Sequence, residues 1–565
     1  MEKEDQVKRG KRALQSSLFT RSNFVQKWSR QMPFVALTCG VVACVILSST
    51  MTTGYDSQTK LKHLLLQLFL VLPGTVWVLR QRAEGPGDSR KLPVLPFFLL
   101  FIIAVVPLSW YVRDGIYNGD ESAYLFNAKL FASLHAYSQA PPDGLRQAFS
   151  FEHHVIYQGR WFGKYPPGWP ALLGVLSIML PLWCITPALG LLLLWLVYAI
   201  SKRLYDENTA SLAVALMACS PYFLLMCIGY MSHVACAVFI ALATLALVTG
   251  FETRKVAHFA LMFAALSFAL LIRPFSAVCV GVPLVGSLVW DLKDDWRRLL
   301  KVSAVGIIFG AIASFIVLYN NKVLTGRYWL SPYAVYAKSE AIPDLRPTAM
   351  NAIRYVMMIF PVSLGRVALY SFPFILLLPI YAVIYERSRR SLLLLCIALS
   401  LIGGYTIKLA VPSDSFIGER YYFDVYFAIG ILSAAGWEKL RRNWKPSAAA
   451  VRALVLGLGC LTLYYYMYAA HAAIQFRRGY YSVYRAAQKT TQGRVLVFMA
   501  PSKYFDPHNY NPNPGDWESA RVLFVVDPGE EGRASAASIL NRPSWLVMSY
   551  DPNAKRAVIK ESAKQ

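Results

Sequence analysis

Residues 92–124 read LPVLPFFLLFIIAVVPLSWYVRDGIYNGDESAY, an apolar run that ends at Val112 and opens into a stretch carrying Asp114 and the adjacent pair Asp120-Glu121. The run 92–112 is long enough to cross a hydrocarbon core of ~30 Å as a helix. The polar stretch beyond it continues to Gly163-Lys164-Tyr165-Pro166-Pro167-Gly168-Trp169. A greasy helix followed by acid, base and stiff aromatic turn places ionisable groups at a membrane surface. Helix spans and surface loops of this kind define an all-α polytopic membrane protein.

The rest of the chain repeats the apolar theme. Its 565 residues are 56% hydrophobic and 16% charged, more apolar surface than a soluble protein can hide. The sequence predicts about thirteen spanning helices, near 34–50, 62–80, 92–112, 184–200, 209–228, 234–250, 257–273, 275–290, 301–318, 367–385, 392–411, 421–438 and 450–468. The break after Arg273 rests on Pro274, because proline disrupts a helix interior. The first 30 residues are polar and basic, and no cleavable signal peptide is expected.

Charge sets the expected orientation. Basic doublets occur at Lys8-Arg9, Lys11-Arg12, Arg90-Lys91, Lys202-Arg203, Arg254-Lys255, Arg297-Arg298, Arg389-Arg390 and Arg441-Arg442. All fall on one side if the N-terminus is cytoplasmic, as the positive-inside rule requires. The net charge of +25 is then a property of loops beside anionic lipid headgroups, with no nucleic-acid partner implied. Outside the cytoplasm lie the loop 113–183, the segment 319–366 and the tail from about 470. Three regions follow: 1–91, a basic N-terminus with two helices; 92–469, a transmembrane domain; and 470–565, a small extracytoplasmic α/β appendage. In the tail, 494–499, 521–526 and 544–549 are strand-like. In the loop, 120–134 fits a surface helix and 168–180 a short interfacial one.

The nine cysteines all sit in or beside apolar runs and form no CxxC pair, so neither a disulfide framework nor a zinc site is expected. Glu152-His153-His154 could ligate a metal, but adjacent histidines rarely share one ion and no third ligand is evident; no cofactor is expected. Asp120 and Glu121 have two readings: a catalytic carboxylate pair, with Asp114 a further candidate, or the acidic first turn of a solvated helix. Lys164 can pair with a phosphate or anchor the chain at the interface beside Trp161 and Trp169. Arg420 before Tyr421-Tyr422 can bind phosphate. Arg273 lies at an outer helix end, where an ionisable group marks a site or snorkels, and His233, in a short outer turn, contacts a sugar or phosphate or only caps a helix. No Gly-rich nucleotide loop is present, which points to a lipid-borne substrate.

Taken in order, these motifs resemble the GT-C-type membrane glycosyltransferases, which include protein O-mannosyltransferases and aminoarabinose transferases. The matching residues are Asp120-Glu121 with Tyr124, Lys164-Tyr165-Pro166-Pro167-Gly168, Ser220-Pro221-Tyr222 with Tyr230-Met231-Ser232-His233, and Arg273-Pro274-Phe275. Tyr319-Asn320 with Thr325-Gly326 and Gly418-Glu419-Arg420-Tyr421-Tyr422 complete the set, spanning roughly 92–440. The resemblance implies a bacterial cytoplasmic-membrane enzyme with a polyprenyl-phosphate-linked sugar as donor. It implies Asp120 as the base of an inverting transfer, and Lys164 and Arg420 as donor-phosphate ligands. Asp114, Tyr124, Tyr165, His233, Arg273 and Tyr421 are the remaining candidate substrate contacts. The acceptor, a glycan, lipid or protein, is left open. Two rival readings are a flippase for lipid-linked sugars, which calls for a polar path across the bilayer, and an O-antigen ligase or polymerase, which leans on a large late loop.

Overall fold

The computed structural model describes residues 57–80, 92–339, 349–372, 374–386, 388–408, 419–444, 448–491 and 493–563. The expected helix 34–50, the loop 81–91 and Gly418 lie outside them. The described chain is mostly helical, and six helices are long and apolar enough to cross a membrane: Leu182–Leu204, His233–Thr253, Pro274–Leu292, Trp296–Thr325, Arg389–Ile407 and Ala449–Thr490. Shorter apolar helices include Leu95–Tyr111, Val256–Ile272 and Leu377–Glu386. The chain is a multi-pass membrane protein.

Burial sorts these helices. The apolar window of His233–Thr253 is 72% buried, whereas that of Trp296–Thr325 is only 11% buried. The first is the middle of the bundle. The second presents Ile307, Ile308, Ile312 and Phe315 outward, as a lipid-facing helix does.

Prolines set several helix boundaries. Pro274 opens Pro274–Leu292 directly after Val256–Ile272, as the sequence predicts. Ser220 caps the amide of Phe223 and Pro221 starts a new short helix, so the expected span 209–228 is two pieces, Glu207–Ala218 and Pro221–Met226. The expected span 367–385 likewise straddles a break between Ala349–Tyr370 and Leu377–Glu386. The last helix departs most. Ala448–Thr490 runs for 43 residues, through the expected domain boundary near 469. At 1.5 Å per residue that is ~65 Å, about twice the hydrocarbon thickness.

Two small sheets lie beyond the bundle. In the loop after Leu95–Tyr111, β1 (Ser138–Gln139), β2 (His154–Tyr157) and β3 (Arg160–Gly163) pair antiparallel in the order β1-β3-β2. Gln158 and Gly159, both at positive φ, turn β2 into β3 as a two-residue hairpin loop. In the tail, β4 (Val495–Met499), β5 (Val522–Val526), β6 (Trp545–Asp551) and β7 (Arg556–Ser562) form a sheet of order β5-β4-β6-β7. The β4–β5 and β4–β6 pairs are parallel, with helix Glu530–Ile539 between β5 and β6. The first three tail strands match the predicted ones; β7 and the loop sheet have too few apolar alternations to be legible.

Loop and tail share one core. Phe126, Phe149, Phe151 and Trp161 pack with Phe498, Tyr510, Trp517 and Phe524. Backbone links reinforce it: Val526 N donates to Ala148 O at 2.8 Å, and Glu152 N to His508 O at 2.7 Å. Lys129 donates to the carbonyls of Pro512 and Asn513. The tail thus fixes the loop that carries the acidic pair.

Candidate active site

Asp120 is placed by a helix cap. Asn118 caps helix Gly119–Ala132 by accepting from Glu121 N, and its amide donates to Asp120 Oδ2 at 3.0 Å. Asp120 therefore sits in the first turn, where the helix dipole favours negative charge. Arg420 donates to Oδ2 at 2.6 Å, while Tyr165 donates to Oδ1 and His153 Nε2 lies 3.1 Å from the same oxygen. Burial alone would raise the carboxyl pKa; the Arg420 guanidinium and the bonds from His153 and Tyr165 outweigh it and hold it well below the usual range. Burial, followed by the Asp120 charge, pushes the Tyr165 phenol well above its usual range.

Lys164 follows β3, and its amide donates to His153 O at 3.0 Å. Its Nζ lies 2.8 Å from His153 Nδ1 and 4.0 Å from the ring centre of Tyr336, with Tyr333 and Tyr165 at 5.0 and 5.3 Å. The aromatic faces attract the ammonium. Tyr333 and Tyr336 come from helix Pro332–Ser339, which packs on the hairpin through Val155, Phe162 and Val335. Gly168 ends the Tyr-Pro-Pro turn against the backbone of Leu271-Ile272: a Cβ there would meet Leu271 C at 2.5 Å and Ile272 N at 2.7 Å. No side chain fits, so the glycine brings the lysine turn up to the start of the Arg273 corner.

A second charged cluster adjoins the first. His233 Nδ1 is 3.1 Å from Asp424 Oδ1, and Arg273 and Ser276 donate to Asp424 Oδ2 at 2.9 and 2.6 Å. Arg273 also donates to Tyr405 OH. Tyr405 stacks on Tyr421, and the guanidinium carbons of Arg273 and Arg420 lie 5.4 and 5.2 Å from the Tyr421 ring centre. Tyr124 completes the link: it hydrogen-bonds Ser232 at 3.0 Å and its ring lies 4.3 Å from that of Tyr165. Asp120, Tyr124, Lys164, Tyr165, His233, Arg273, Arg420 and Tyr421 are thus brought together from distant parts of the chain.

Glu121 and Asp114 are placed elsewhere. Glu121 pairs with Arg477 of the long last helix at 3.0 Å, and the two side chains are 1% and 3% exposed. It also accepts from the amides of Tyr117 and Tyr230. Gly229, at φ +110°, passes so close that a Cβ would lie 2.3 Å from Glu121 Oε1. This carboxylate is held by Arg477 and two backbone amides, a set of partners separate from the Arg420, His153 and Tyr165 that bind the Asp120 carboxylate. Asp114 binds Arg485 at 2.6 Å and its carbonyl accepts from Tyr510, on the tail side. The sequence missed Asp424, Arg477 and the two tyrosines over Lys164, because nothing local marks them. His153 was visible only as half of a His-His pair. The structure separates the two: His154 turns into the Phe126, Phe151 and Trp161 cluster, where burial pushes its pKa down to about 3. Among the described residues no group of three or more His, Cys, Asp or Glu is placed to hold a metal.

Three of the described basic doublets occupy helix ends remote from these clusters. His233 begins the helix that Arg254-Lys255 follow, and Tyr405 lies near the end of the helix that Arg389-Arg390 begin. Arg441-Arg442 close the helix Tyr426–Trp444 that follows Arg420.

No curated protein matches the chain. Among solved structures, it is similar to ArnT from Cupriavidus metallidurans bound to undecaprenyl phosphate, with 14% identity over 79% of this chain and 88% of that one and a TM-score of 0.49. It is also similar to the Archaeoglobus fulgidus oligosaccharyltransferase in complex with Zn and sulfate, with 12% identity over 80% and 67% and a TM-score of 0.47. A structure of AglB, the oligosaccharyltransferase of the same archaeon, with an inhibitory peptide and a dolichol-phosphate gives 11% over 80% and 69% and a TM-score of 0.44. Residues 172–319 match the dolichyl-phosphate-mannose-protein mannosyltransferase family, inside the stretch 92–440 that carries the motifs, and this match bears out the resemblance of the chain to the GT-C-type membrane glycosyltransferases.

Proposed function

We propose that this protein transfers a sugar from a polyprenyl-phosphate carrier to a nucleophile on a glycan, lipid or protein, with Asp120 as the base. The observation that carries the reading is the meeting, at one end of the bundle, of the buried Asp120 carboxylate with two cations suited to a phosphate. Arg420 touches Asp120 directly and Lys164 reaches it through His153. The matched family is named for a dolichyl-phosphate sugar donor, a substrate of the same chemical class.

In the reaction, the acceptor O–H or N–H attacks the anomeric carbon as the bond from that carbon to the phosphate oxygen breaks. The proton passes to Asp120, the stereochemistry inverts, and polyprenyl phosphate leaves. Cations at the departing phosphate stabilise the charge that develops there. In the resting site Asp120 is a weak base, because Arg420 holds its charge. A donor phosphate competes for Arg420 and draws it away. The carboxylate then keeps its bonds to Tyr165 and His153 but regains basicity, so donor binding readies the base for the acceptor.

The clusters lie at the helix ends opposite Arg254-Lys255, Arg389-Arg390 and Arg441-Arg442, which the positive-inside rule assigns to the cytoplasm. The site therefore faces the outside of a bacterial cytoplasmic membrane, together with the tail domain. The test is to supply the purified protein with a panel of polyprenyl-phosphate sugars and candidate acceptors and to measure release of polyprenyl phosphate. Release with one or more donors supports the reading; a folded protein inert toward all of them overturns it.

A further inference from the structure

His153 occupies a position that a merely space-filling residue would not need. Its backbone is left-handed, at φ +66°. Residues with a Cβ adopt that conformation seldom, and strain of this kind gathers at functional sites. Its ring stands between two groups of the proposed site, with Nε2 3.1 Å from Asp120 Oδ1 and Nδ1 2.8 Å from Lys164 Nζ. Tyr336 OH lies 3.1 Å from the same Nδ1, and Glu152 Oε1 is 3.5 Å from Nε2.

The chemistry of the neighbours fixes the ring's state. An ammonium has only donors and a carboxylate only acceptors. The hydrogen must therefore sit on Nε2, pointing at Asp120, and the Nδ1 lone pair must receive Lys164. On the other side of Asp120, Oδ2 takes Asn118 and Arg420. His153 and Tyr165 thus pin Oδ1, while Oδ2 is the oxygen that loses a partner when Arg420 leaves for a phosphate.

We propose that His153 is a positioning residue for the transfer: it holds Asp120 by Oδ1, so that Oδ2 is the oxygen presented to the acceptor proton, and it aims Lys164 at the donor phosphate. The role rests on the sugar-transfer reading above. It differs from a structural role because it joins base and cation through one ring.

The titratable groups that bear on Asp120 are Arg420, His153, Tyr165, Tyr124 and Tyr333, and through His153 Lys164 and Glu152. Losing the Nε2–H donor removes a bond made to the charged carboxylate, so the Asp120 pKa must rise. The test compares His153→Gly with His153→Gln. Glycine accepts the left-handed backbone freely and deletes both contacts; glutamine keeps one donor and one acceptor at similar reach. The acid limb of kcat reports the donor-bound state.

For His153→Gly we expect that limb to move up by about one pH unit and the donor KM to rise about tenfold. His153→Gln should restore both to within about threefold of wild type. If His153→Gly does not fold, His153→Asn tolerates the same backbone with a shorter amide, and should show the same upward limb. An active wild type whose Gly or Asn variant keeps the native limb and donor KM overturns the role of His153 alone. A Gln variant no better than Gly does the same. A wild type inert toward every lipid-linked sugar defeats the functional reading, and the positioning role with it.

Discussion

Breaking the Glu121–Arg477 clamp should cost stability and leave chemistry in place. The pair is nearly sealed, at 1% and 3% exposure, with two charges in contact at 3.0 Å. Arg477 further donates to the carbonyls of Gly115 and Ile228, so one side chain ties the long last helix to both the acidic loop and the turn before Tyr230. Removing one member of such a pair strands the other charge away from water, at about 3–5 kcal/mol. Arg477→Met should therefore lower the unfolding transition markedly. Glu121→Gln with Arg477→Met should recover part of the loss, because no charge remains; recovery is incomplete because Tyr117 and Tyr230 donate to different carboxylate oxygens and the amide's one oxygen accepts from only one of them. The internal control is Arg203–Glu252, at 2.7 Å but 43% and 46% exposed, whose loss should cost about 0–1 kcal/mol. Unfolding of the detergent-solubilised variants, with Glu121→Gln alone beside them, is read by scanning fluorimetry, and turnover per folded molecule is measured in parallel. The reasoning is refuted if Arg477→Met loses no more stability than the exposed pair. It is equally refuted if Glu121→Gln abolishes turnover in protein that remains folded, since Glu121 would then be part of the chemistry.

Lys164→Met should weaken the apparent affinity for a polyprenyl-phosphate donor by about 10–100-fold, as loss of a bond between charged groups does, measured by the donor KM. Gly168→Ala forces a Cβ against the 271–272 backbone; it should destabilise by about 1–3 kcal/mol, read in the same fluorimetry. For Asp120, the folded carboxyl pKa lies below its unfolded value of ~3.9. The stability it contributes is thus fully present above that value and is lost as pH falls through the folded one. The difference in unfolding temperature between wild type and Asp120→Asn should be flat above about pH 5 and shrink on acidification below about pH 4.

That the chain crosses a membrane several times was legible because long apolar runs report directly on the bilayer. The helix of the acidic loop was legible for a similar reason: Asn118 and the acids behind it are a local cap signal, and the structure places the helix at Gly119–Ala132. Pro274 marked its helix boundary for a purely covalent reason. What failed were boundaries that depend on distant packing. Nothing near residue 469 says that the last helix continues to Thr490; the loop core that receives Arg477 lies more than 300 residues away. The division between Asp120 and Glu121 was illegible for the same cause. Neighbours on a helix point in different directions, and only the positions of Arg420 and Arg477 show which carboxylate faces the other site residues. Asp424 falls inside the expected helix 421–438, where nothing in the sequence singles it out. Its meaning comes from Arg273, His233 and Ser276, contributed by the starts of other helices.

The central claim is that Asp120 accepts the proton in transfer of a sugar from a lipid phosphate. Its direct test is the rate of polyprenyl-phosphate release by Asp120→Asn, which keeps the size of the side chain and removes its basicity. With the fold verified by its unfolding transition, the account predicts a rate about 10²–10⁴-fold below wild type, the range that general-base catalysis supplies. A folded Asp120→Asn protein that releases polyprenyl phosphate at the wild-type rate would contradict it.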